Sequence, residues 1–398
     1  MTELSVLRGE LDVIDKQIVE LYEKRMAVCE KVAEYKIQTG KKVFDKERED
    51  AKIAALTALT DSDFNSHAIE ELFRQIMSIS RKRQYQLLAR EGVIGRLPFT
   101  QVESIEKENI RVVFQGVEGA YTQAAMKKYF GDRVNSFAVA KWRDALEAIS
   151  EGMADFAVLP IENSTAGFVS EIYDLLLKYD DYIVGEQIIR IEHTLLGLPG
   201  TKLSDIKTVC SHEQGLMQCE EFLNEHRDWQ QVAVDNTAMA AKKVAKEQDA
   251  SQAAIASAFA GEVFGLEVLK EHISTTKGNS TRFIIVSNQR IFEKDANKIS
   301  ICFETPHRSG ALYHILSHFI YNNLNMSKIE SRPIPERNWE YRFFVDVEGN
   351  LNDMKVIGLL PFPTERSLCQ TVCIICMPFR KRRRMRILIY RRGVLGSD

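Results

Sequence analysis

"LSVLRGELDVIDKQIVELYEKRMAVCEKVAEYK", residues Leu4 to Lys36, carries apolar side chains at Leu4, Leu7, Leu11, Ile14, Ile18 and Leu21, and Val28, Val32 and Tyr35 continue the register. Alternating steps of three and four predict one long helix with a single apolar seam. Arg25 falls on that seam, midway between Leu21 and Val28, where a hydrophobe is expected. An inward guanidinium needs anionic company to offset its desolvation. Lys36 lies about three turns further along, on nearly the same face. Arg8 stands about 100° away from Arg25 on the helical wheel, so one straight helix cannot aim both at one point. A partner subunit can.

Working outward, "VFDKERED" starts a second helix with Asp45, Arg48 and Glu49, and "SHAIEELFRQIMSISRKRQYQLL" forms a third with Ser80 and Gln84 one turn apart. For most of these side chains the plain alternative is a solvated charge on a helix, and Arg25 is the exception. Several cations with few counter-ions in a helical bundle describe a pocket for a dianion. The set Arg8, Arg25, Lys36, Asp45, Arg48, Glu49, Ser80 and Gln84, within residues 1–92, resembles the all-helical chorismate mutase family. The resemblance implies two intertwined chains, a homodimer or higher homo-oligomer, with the first-helix Arg lent across. It also implies a pericyclic rearrangement of chorismate to prephenate that needs no nucleophile, metal or cofactor. Such a reaction needs carboxylates clamped so that the reacting carbons meet, and donors at the ether oxygen. On the resemblance Arg8 and Arg25 clamp carboxylates, Lys36 and Gln84 face the ether oxygen, Asp45 and Glu49 take the hydroxyl side, and Arg48 and Ser80 complete the shell.

With 398 residues, 45% of them hydrophobic, the chain is long enough for two or three domains. It has no apolar run long enough to span a membrane, and "MTELSVLRGELD" lacks the order of a secretory signal, so a cytoplasmic protein is expected. Seven scattered cysteines suit reduced thiols. The net charge of -3 is uneven. Residues 354–398 hold eight Arg and two Lys against Glu365 and Asp398, a net +8, leaving -11 on the rest. By charge the body is not a nucleic-acid binder.

Residues 93–109 read as a polar linker, and 110–287 alternate between strand and helix patterns. "IRVVFQG", "DFAVLPIENS", "IKTVCS", "WQQVAVD" and "SQAAIAS" are strands. "AYTQAAMKKYFG", "RDALEAISEGMA", "GFVSEIYDLLLKY", "EQGLMQCEEFLNEH" and "NTAMAAKKVAKEQ" are helices. Alternation of this kind implies parallel α/β sheets with ligand-binding loops at strand C-terminal ends. Three such ends are polar: Asn163, Ser164 and Thr165; Ser211, His212, Gln214 and Gln218; Asn236 and Thr237. Each group is a good helix N-cap, and together they equally suit a carboxylate. His212 is a candidate base, although a lone His is more often structural. In "TTKGNSTRFIIVS", Thr275 to Ser287, Gly278 and Asn279 mark a turn, Phe283 to Val286 a strand, and Ser280, Thr281 and Arg282 the joint. A capped turn explains that joint as simply as a site does.

No phosphate loop, dinucleotide fingerprint, metal-ligand cluster or Ser-His-Asp order is present, so no metal or cofactor is expected. "GAYTQAA", "PIENSTAG", "SHEQGLMQC", "VDNTAMAA" and "GNSTRFIIVS", in that order, resemble the prephenate dehydratase family. That implies a two-lobed fold like periplasmic binding proteins and conversion of prephenate to phenylpyruvate, water and carbon dioxide. On the resemblance Thr281 delivers a proton to the leaving hydroxyl, Arg282 sits with it, and Asn163, Ser164, Thr165, Ser211, His212 and Gln218 line the cleft.

Residues 298–353 read strand, helix, strand, strand, and "GALYHIL" and "ESRP" resemble the phenylalanine-binding ACT domain. The implied fold is α+β, βαββαβ, with Gly310, Ala311, Leu312, Glu330, Ser331 and Arg332 toward a phenylalanine effector. Beyond Asp353 the pattern departs. Pro361 and Pro363 fall where a second helix belongs, while "TVCIICM" suits a last strand, so an incomplete ACT domain is expected. Cys369, Cys373 and Cys376 lack a fourth zinc ligand nearby, and "FRKRRRMRILIYRR" reads as a divergent basic tail, an altered reading frame or a nucleic-acid arm. The order of modules resembles the bifunctional mutase/dehydratase family of phenylalanine biosynthesis. A different class, a non-enzymatic aromatic-acid sensor built on a helical dimer, is the alternative. Small-molecule partners, chorismate, prephenate and phenylalanine, are expected, with no nucleic acid and no membrane.

Overall fold

The computed structural model describes residues 3–93, 99–305, 307, 309–335, 337–357 and, as backbone, 372–377. The expected seam helix is one continuous element, α1 (Leu4–Thr39), stopped by Gly40 in the left-handed conformation at φ 67°. Helix α2 (Lys46–Thr57) is capped by Asp45, whose carboxylate accepts from the Arg48 backbone N–H, and α3 (Asp63–Arg90) by Ser62. Helices α1 and α3 and the loop between α1 and α2 close on Ala33, Val43, Tyr85 and Leu88, near the C-terminal end of α1. Much of the seam is bare: Leu4, Leu11, Ile18 and Leu21, and further along Val28 and Tyr35, are each more than half exposed.

The described residues divide into two compact units, one built from 1–98 with 301–372 and the other containing 99–300. In the second unit one sheet combines β2 (Arg111–Gln115), β3 (Asn135–Val139), β4 (Phe156–Asn163), β6 (Tyr182–Arg190) and β12 (Ser280–Ser287) in the order β3-β2-β4-β12-β6. The β2, β3 and β4 strands are parallel, joined by crossover helices α4 (Tyr121–Phe130) and α5 (Trp142–Ser150), as strand and helix alternation requires. The β12 strand runs antiparallel between β4 and β6 and is buried from Phe283 onward, which explains its continuous apolar run.

A second sheet holds β7 (Thr194–Gly197), β8 (Thr208–Ser211), β9 (Gln230–Ala233), β10 (Gln252–Ala256) and β11 (Glu267–Lys270) in the order β11-β7-β10-β8-β9. Helices α9 (Thr237–Glu247) and α10 (Ala258–Phe264) pack on it through a small-residue core of Ala240, Ala241, Ala254 and Ala260. Two sheets with separate cores make the two-lobed α/β fold expected.

Three local expectations change. The polar linker contains β1 (Thr100–Val102), paired with β13 (Ile291–Glu293), because extended backbone at a free edge finds a partner. "GFVSEIYDLLLKY" is not helical throughout: Gly167–Phe168 forms β5 against β4, and α6 runs Ser170–Lys178. "EQGLMQCEEFLNEH" is split into α7 (Glu213–Met217) and α8 (Glu220–Asn224) around buried Cys219.

The C-terminal segment gives β14 (Lys298–Glu304), α11 (Ala311–Tyr321), β15 (Met326–Pro333), β16 (Tyr341–Glu348), the four-residue α12 (Met354–Ile357) and β17 (Val372–Met377). The described elements follow the βαββαβ order, and Val372–Met377 is extended as expected. Within the first unit α11 meets α3: Lys82 Nζ donates to Ser317 Oγ at 2.6 Å and lies over the Tyr321 ring. Burial, Lys82, Arg81 and His314 push His318 down to about 3, so this contact keeps a neutral imidazole. Glu304, buried on β14, accepts from Arg337 at 2.7 Å and Arg342 at 2.6 Å. Pro361, Pro363, Cys369 and the run beginning at Arg380 lie outside the described residues.

Candidate active sites

The first site lies on the inner faces of α1, α2 and α3, where a cavity of about 1050 Å³ is lined by Arg25, Lys36, Asp45, Arg48, Glu49, Ser80, Arg81 and Gln84. Arg25, the cation on the apolar seam, donates to Ser80 Oγ at 2.5 Å, and that hydroxyl in turn donates to the Ile76 carbonyl at 2.8 Å. Lys36 donates to Gln84 Oε1 at 3.1 Å and to the Val43 carbonyl at 2.8 Å. Ser80 and Gln84 are buried, so α3 presents both as fixed donors or acceptors at the cavity floor. Burial and the Arg48 charge lower the Lys36 pKa, while Asp45 and Glu49 raise it. Cations of this kind gain from a bound dianion. Arg8 does not line the cavity: it is exposed on α1, seventeen residues before Arg25 and so about 25 Å along the axis.

The second site is built by the register of β12 against β4. Thr281 pairs with Asn163, and Asn163 Nδ2 donates to Thr281 Oγ1 at 2.9 Å. The Asn163 amide has one orientation, because its Oδ1 accepts the backbone N–H groups of Thr165 at 3.0 Å and Ala166 at 2.9 Å. Its NH₂ therefore faces Thr281, and the Thr281 hydroxyl proton is left for another acceptor. Asn279, buried at the turn before β12, accepts from Asn163, Ser164 and Thr165. Ser164 Oγ accepts from the Ser280 backbone N–H at 3.0 Å. From the second lobe, Gln218 Nε2 reaches Thr165 Oγ1 at 3.5 Å, and Gln218 Oε1 bonds His193 Nε2 at 2.9 Å.

Other expected residues stand apart from this cluster. Arg282 follows Thr281 on an extended strand and so points to the other face, where it pairs with Glu162 at 3.1 Å and Glu186 at 3.8 Å. Ser211 is fully buried and donates to the Ile255 carbonyl. His212 and Asn236 are helix caps, accepting from the backbone N–H groups of Gln214 and Met239. The capping reading holds at those two positions. At Asn163 it does not, since α6 begins after Val169.

Comparison with known proteins finds the two families already named. A model of chorismate mutase type II matches residues 7–85, and one of prephenate dehydratase matches 112–291. A bifunctional chorismate mutase/prephenate dehydratase of Enterobacter agglomerans is 32% identical over 359 residues, 89% of this chain and 90% of that protein. The chain belongs to the bifunctional chorismate mutase/prephenate dehydratase family. Among solved structures, the prephenate dehydratase of Arthrobacter aurescens in complex with L-Phe has a TM-score of 0.60 at 29% identity, over 67% of this chain and 89% of that one. GqqA, a quorum-quenching acylase, has a TM-score of 0.59 at 29% identity, over 67% of this chain and 96% of that one.

As a member of this family the chain is an enzyme of two activities, and the sensor alternative is not favoured. Sequence reasoning did not single out four residues that the structure bonds into or beside these clusters. Asn279 was read only as a turn. His193 in "IEHTLLG" and Tyr121 in "GAYTQAA" lie far from Gln218 in sequence, and nothing in either stretch links them to it. His193 is buried and its pKa lowered, so the imidazole is neutral; the Tyr121 hydroxyl donates to the Glu192 carbonyl at 2.8 Å and lies 3.3 Å from His193 Nδ1. Arg81 directly follows Ser80, yet it reads as one more charge in "SRKR". Of the expected effector residues, Gly310, with φ 74°, Ala311 and Leu312 start α11, and Glu330, Ser331 and Arg332 lie on β15. Among the described residues, no group of His, Cys, Asp and Glu is placed to hold a metal, and no helix is long and apolar enough to cross a membrane.

Proposed function

We propose that the helical cavity performs the mutase step with Arg25 and Arg48 holding the carboxylates of chorismate and with Lys36 and Gln84 at the ether oxygen. The observation that carries this is the Lys36–Gln84 pair, fixed at 3.1 Å on the wall of a cationic cavity. As the C–O bond breaks, negative charge grows on that oxygen, and a pre-positioned ammonium stabilises the transition state more than the ground state. Glu49 and Asp45 take the substrate hydroxyl, and Ser80 holds Arg25. Arg8 completes the clamp from a second copy: the bare seam of Leu4, Leu11, Ile18 and Leu21 is the surface that copy covers, and Arg8 lies on the same stretch of helix.

In the dehydratase step the ring carboxylate departs as carbon dioxide, its C–C bonding pair enters the ring, and hydroxide leaves with a proton to become water. Thr281 delivers that proton. Because Asn163 donates to Thr281 Oγ1, the Thr281 O–H is aimed away from Asn163 and available to the leaving hydroxyl. Gln218, Thr165 and Ser164 orient the substrate. Arg282 holds Glu162 and Glu186 beneath the site, and Ser211 and His212 shape the α7 end of the cleft. Residues 298–353 act as an ACT-type domain taking phenylalanine at Gly310–Leu312 and Glu330–Arg332; the βαββαβ order supports this, as does the L-Phe complex of the Arthrobacter relative.

Purified protein incubated with chorismate tests both steps. Phenylpyruvate, read by its absorbance in alkali, is expected. Accumulation of prephenate alone would leave only the mutase, and a rate indifferent to added phenylalanine would remove the effector role.

A further inference from the structure

Arg81 brings a further cation to the mutase cavity, in addition to those expected to meet substrate. Its side chain is only 12% exposed, and it lines the cavity next to Ser80. Its Nη1 donates to Glu49 Oε2, and its guanidinium lies over the Phe44 ring, 5.0 Å from the centroid. Phe44 immediately precedes Asp45, the cap of α2. Arg81 therefore ties α3 to the first turns of α2, at the carboxylate proposed to receive the substrate hydroxyl.

The charges in the cavity show what this tie accomplishes. A dianionic substrate has to find Arg25, Lys36 and Arg48 uncommitted. Glu49 is an anion among them, and its charge reaches Lys36, whose pKa it raises. A mobile Glu49 would compete with the substrate carboxylates for the same cations. A planar guanidinium that is both hydrogen-bonded to the carboxylate and stacked on an aromatic ring holds it in place. We infer that Arg81 is a positioning residue for the mutase reaction: it neutralises Glu49, holds Oε2 while leaving Oε1 for the substrate hydroxyl, and keeps Arg48 free for a carboxylate and Lys36 free for the ether oxygen. The inference rests on the mutase reading of this cavity.

The test uses the full chain, with its dehydratase turnover of added prephenate as the folding control. Arg81→Met keeps the apolar stem over Phe44 and removes the charge. Its expected effect is a chorismate KM raised about ten-fold or more and a lowered kcat, with prephenate turnover within about two-fold of the parent. Arg81→Lys is expected to recover part of the KM. Adding Glu49→Gln to Arg81→Met removes the competing charge, so the double variant should bind chorismate more tightly than Arg81→Met alone, a coupling that a merely structural role does not produce. An unchanged chorismate KM in Arg81→Met, no recovery in the double variant, or parallel loss of both activities overturns the inference. A parent chain that leaves chorismate untouched refutes the mutase reading itself.

Discussion

Arg25, Lys36 and Arg48 line the mutase cavity, whereas the groups bonded around Thr281 are the amides of Asn163 and Asn279 and the hydroxyls of Ser164 and Thr165. The guanidinium next in sequence to Thr281 is turned away toward Glu162 and Glu186. A pericyclic step has no bond to break by proton transfer, so the machinery proposed for it is fixed cations that hold charge in place. In the dehydratase, aromatisation supplies the driving force and one proton has to be delivered, so neutral donors of defined orientation suffice. The scaffolds follow the chemistry. Long helices carry charges to a cavity, and a strand paired on both sides presents one hydroxyl.

Variants that silence one site and spare the other test this contrast most severely. Thr281→Val keeps the strand and removes the proton: dehydratase kcat should fall roughly 10³-fold with the mutase rate unchanged. Loss of both activities, or of neither, breaks the comparison. Lys36→Ala should lower mutase kcat/KM by about 10² to 10³, leaving prephenate turnover intact. His193→Asn is too short to reach Gln218, which is then free to rotate. About a ten-fold drop in dehydratase kcat is expected, recovered in part by His193→Gln, and the mutase should not change.

A further effect, on stability and not on turnover, concerns charge in the dehydratase scaffold. Burial, with Asp180 adding to it, pushes the Asp181 carboxyl up to about 7. Unfolded chains release that proton near pH 4, so the folded state holds it more tightly. Stability is complete below pH 4 and is lost as pH rises through 7, by at most about 1.4 kcal/mol per pH unit. Asp181→Asn should flatten that slope in thermal melts between pH 4 and 8, and a slope identical to the parent's would remove Asp181 as its source.

Of the two sites, the mutase set was the more legible in sequence. Arg25 betrayed itself by occupying a seam position and Lys36 by lying three turns further along nearly the same face, because an α-helix turns sequence distance into direction, while Ser80 and Gln84 were assigned through the family resemblance. Arg8 was correctly separated from Arg25 by the same arithmetic. In the dehydratase half, polar turns were visible as turns, but a cap and a substrate ligand look alike in sequence: His212 and Asn236 cap helices, while Asn163 in a similar context faces Thr281.

The alternation of strands and helices and the placement of a cation on the seam of a helical bundle were determined by the sequence itself, since hydrophobic periodicity is a local property of the chain; the two-lobed class came through the family resemblance. Only the tertiary structure decided that Thr281 meets Asn163, that His193 orients Gln218, that Arg282 turns to Glu162 and Glu186, and that Arg81 holds Glu49. Each of those pairs joins residues on different elements, and strand register and helix packing, which bring them together, are set by the fold as a whole.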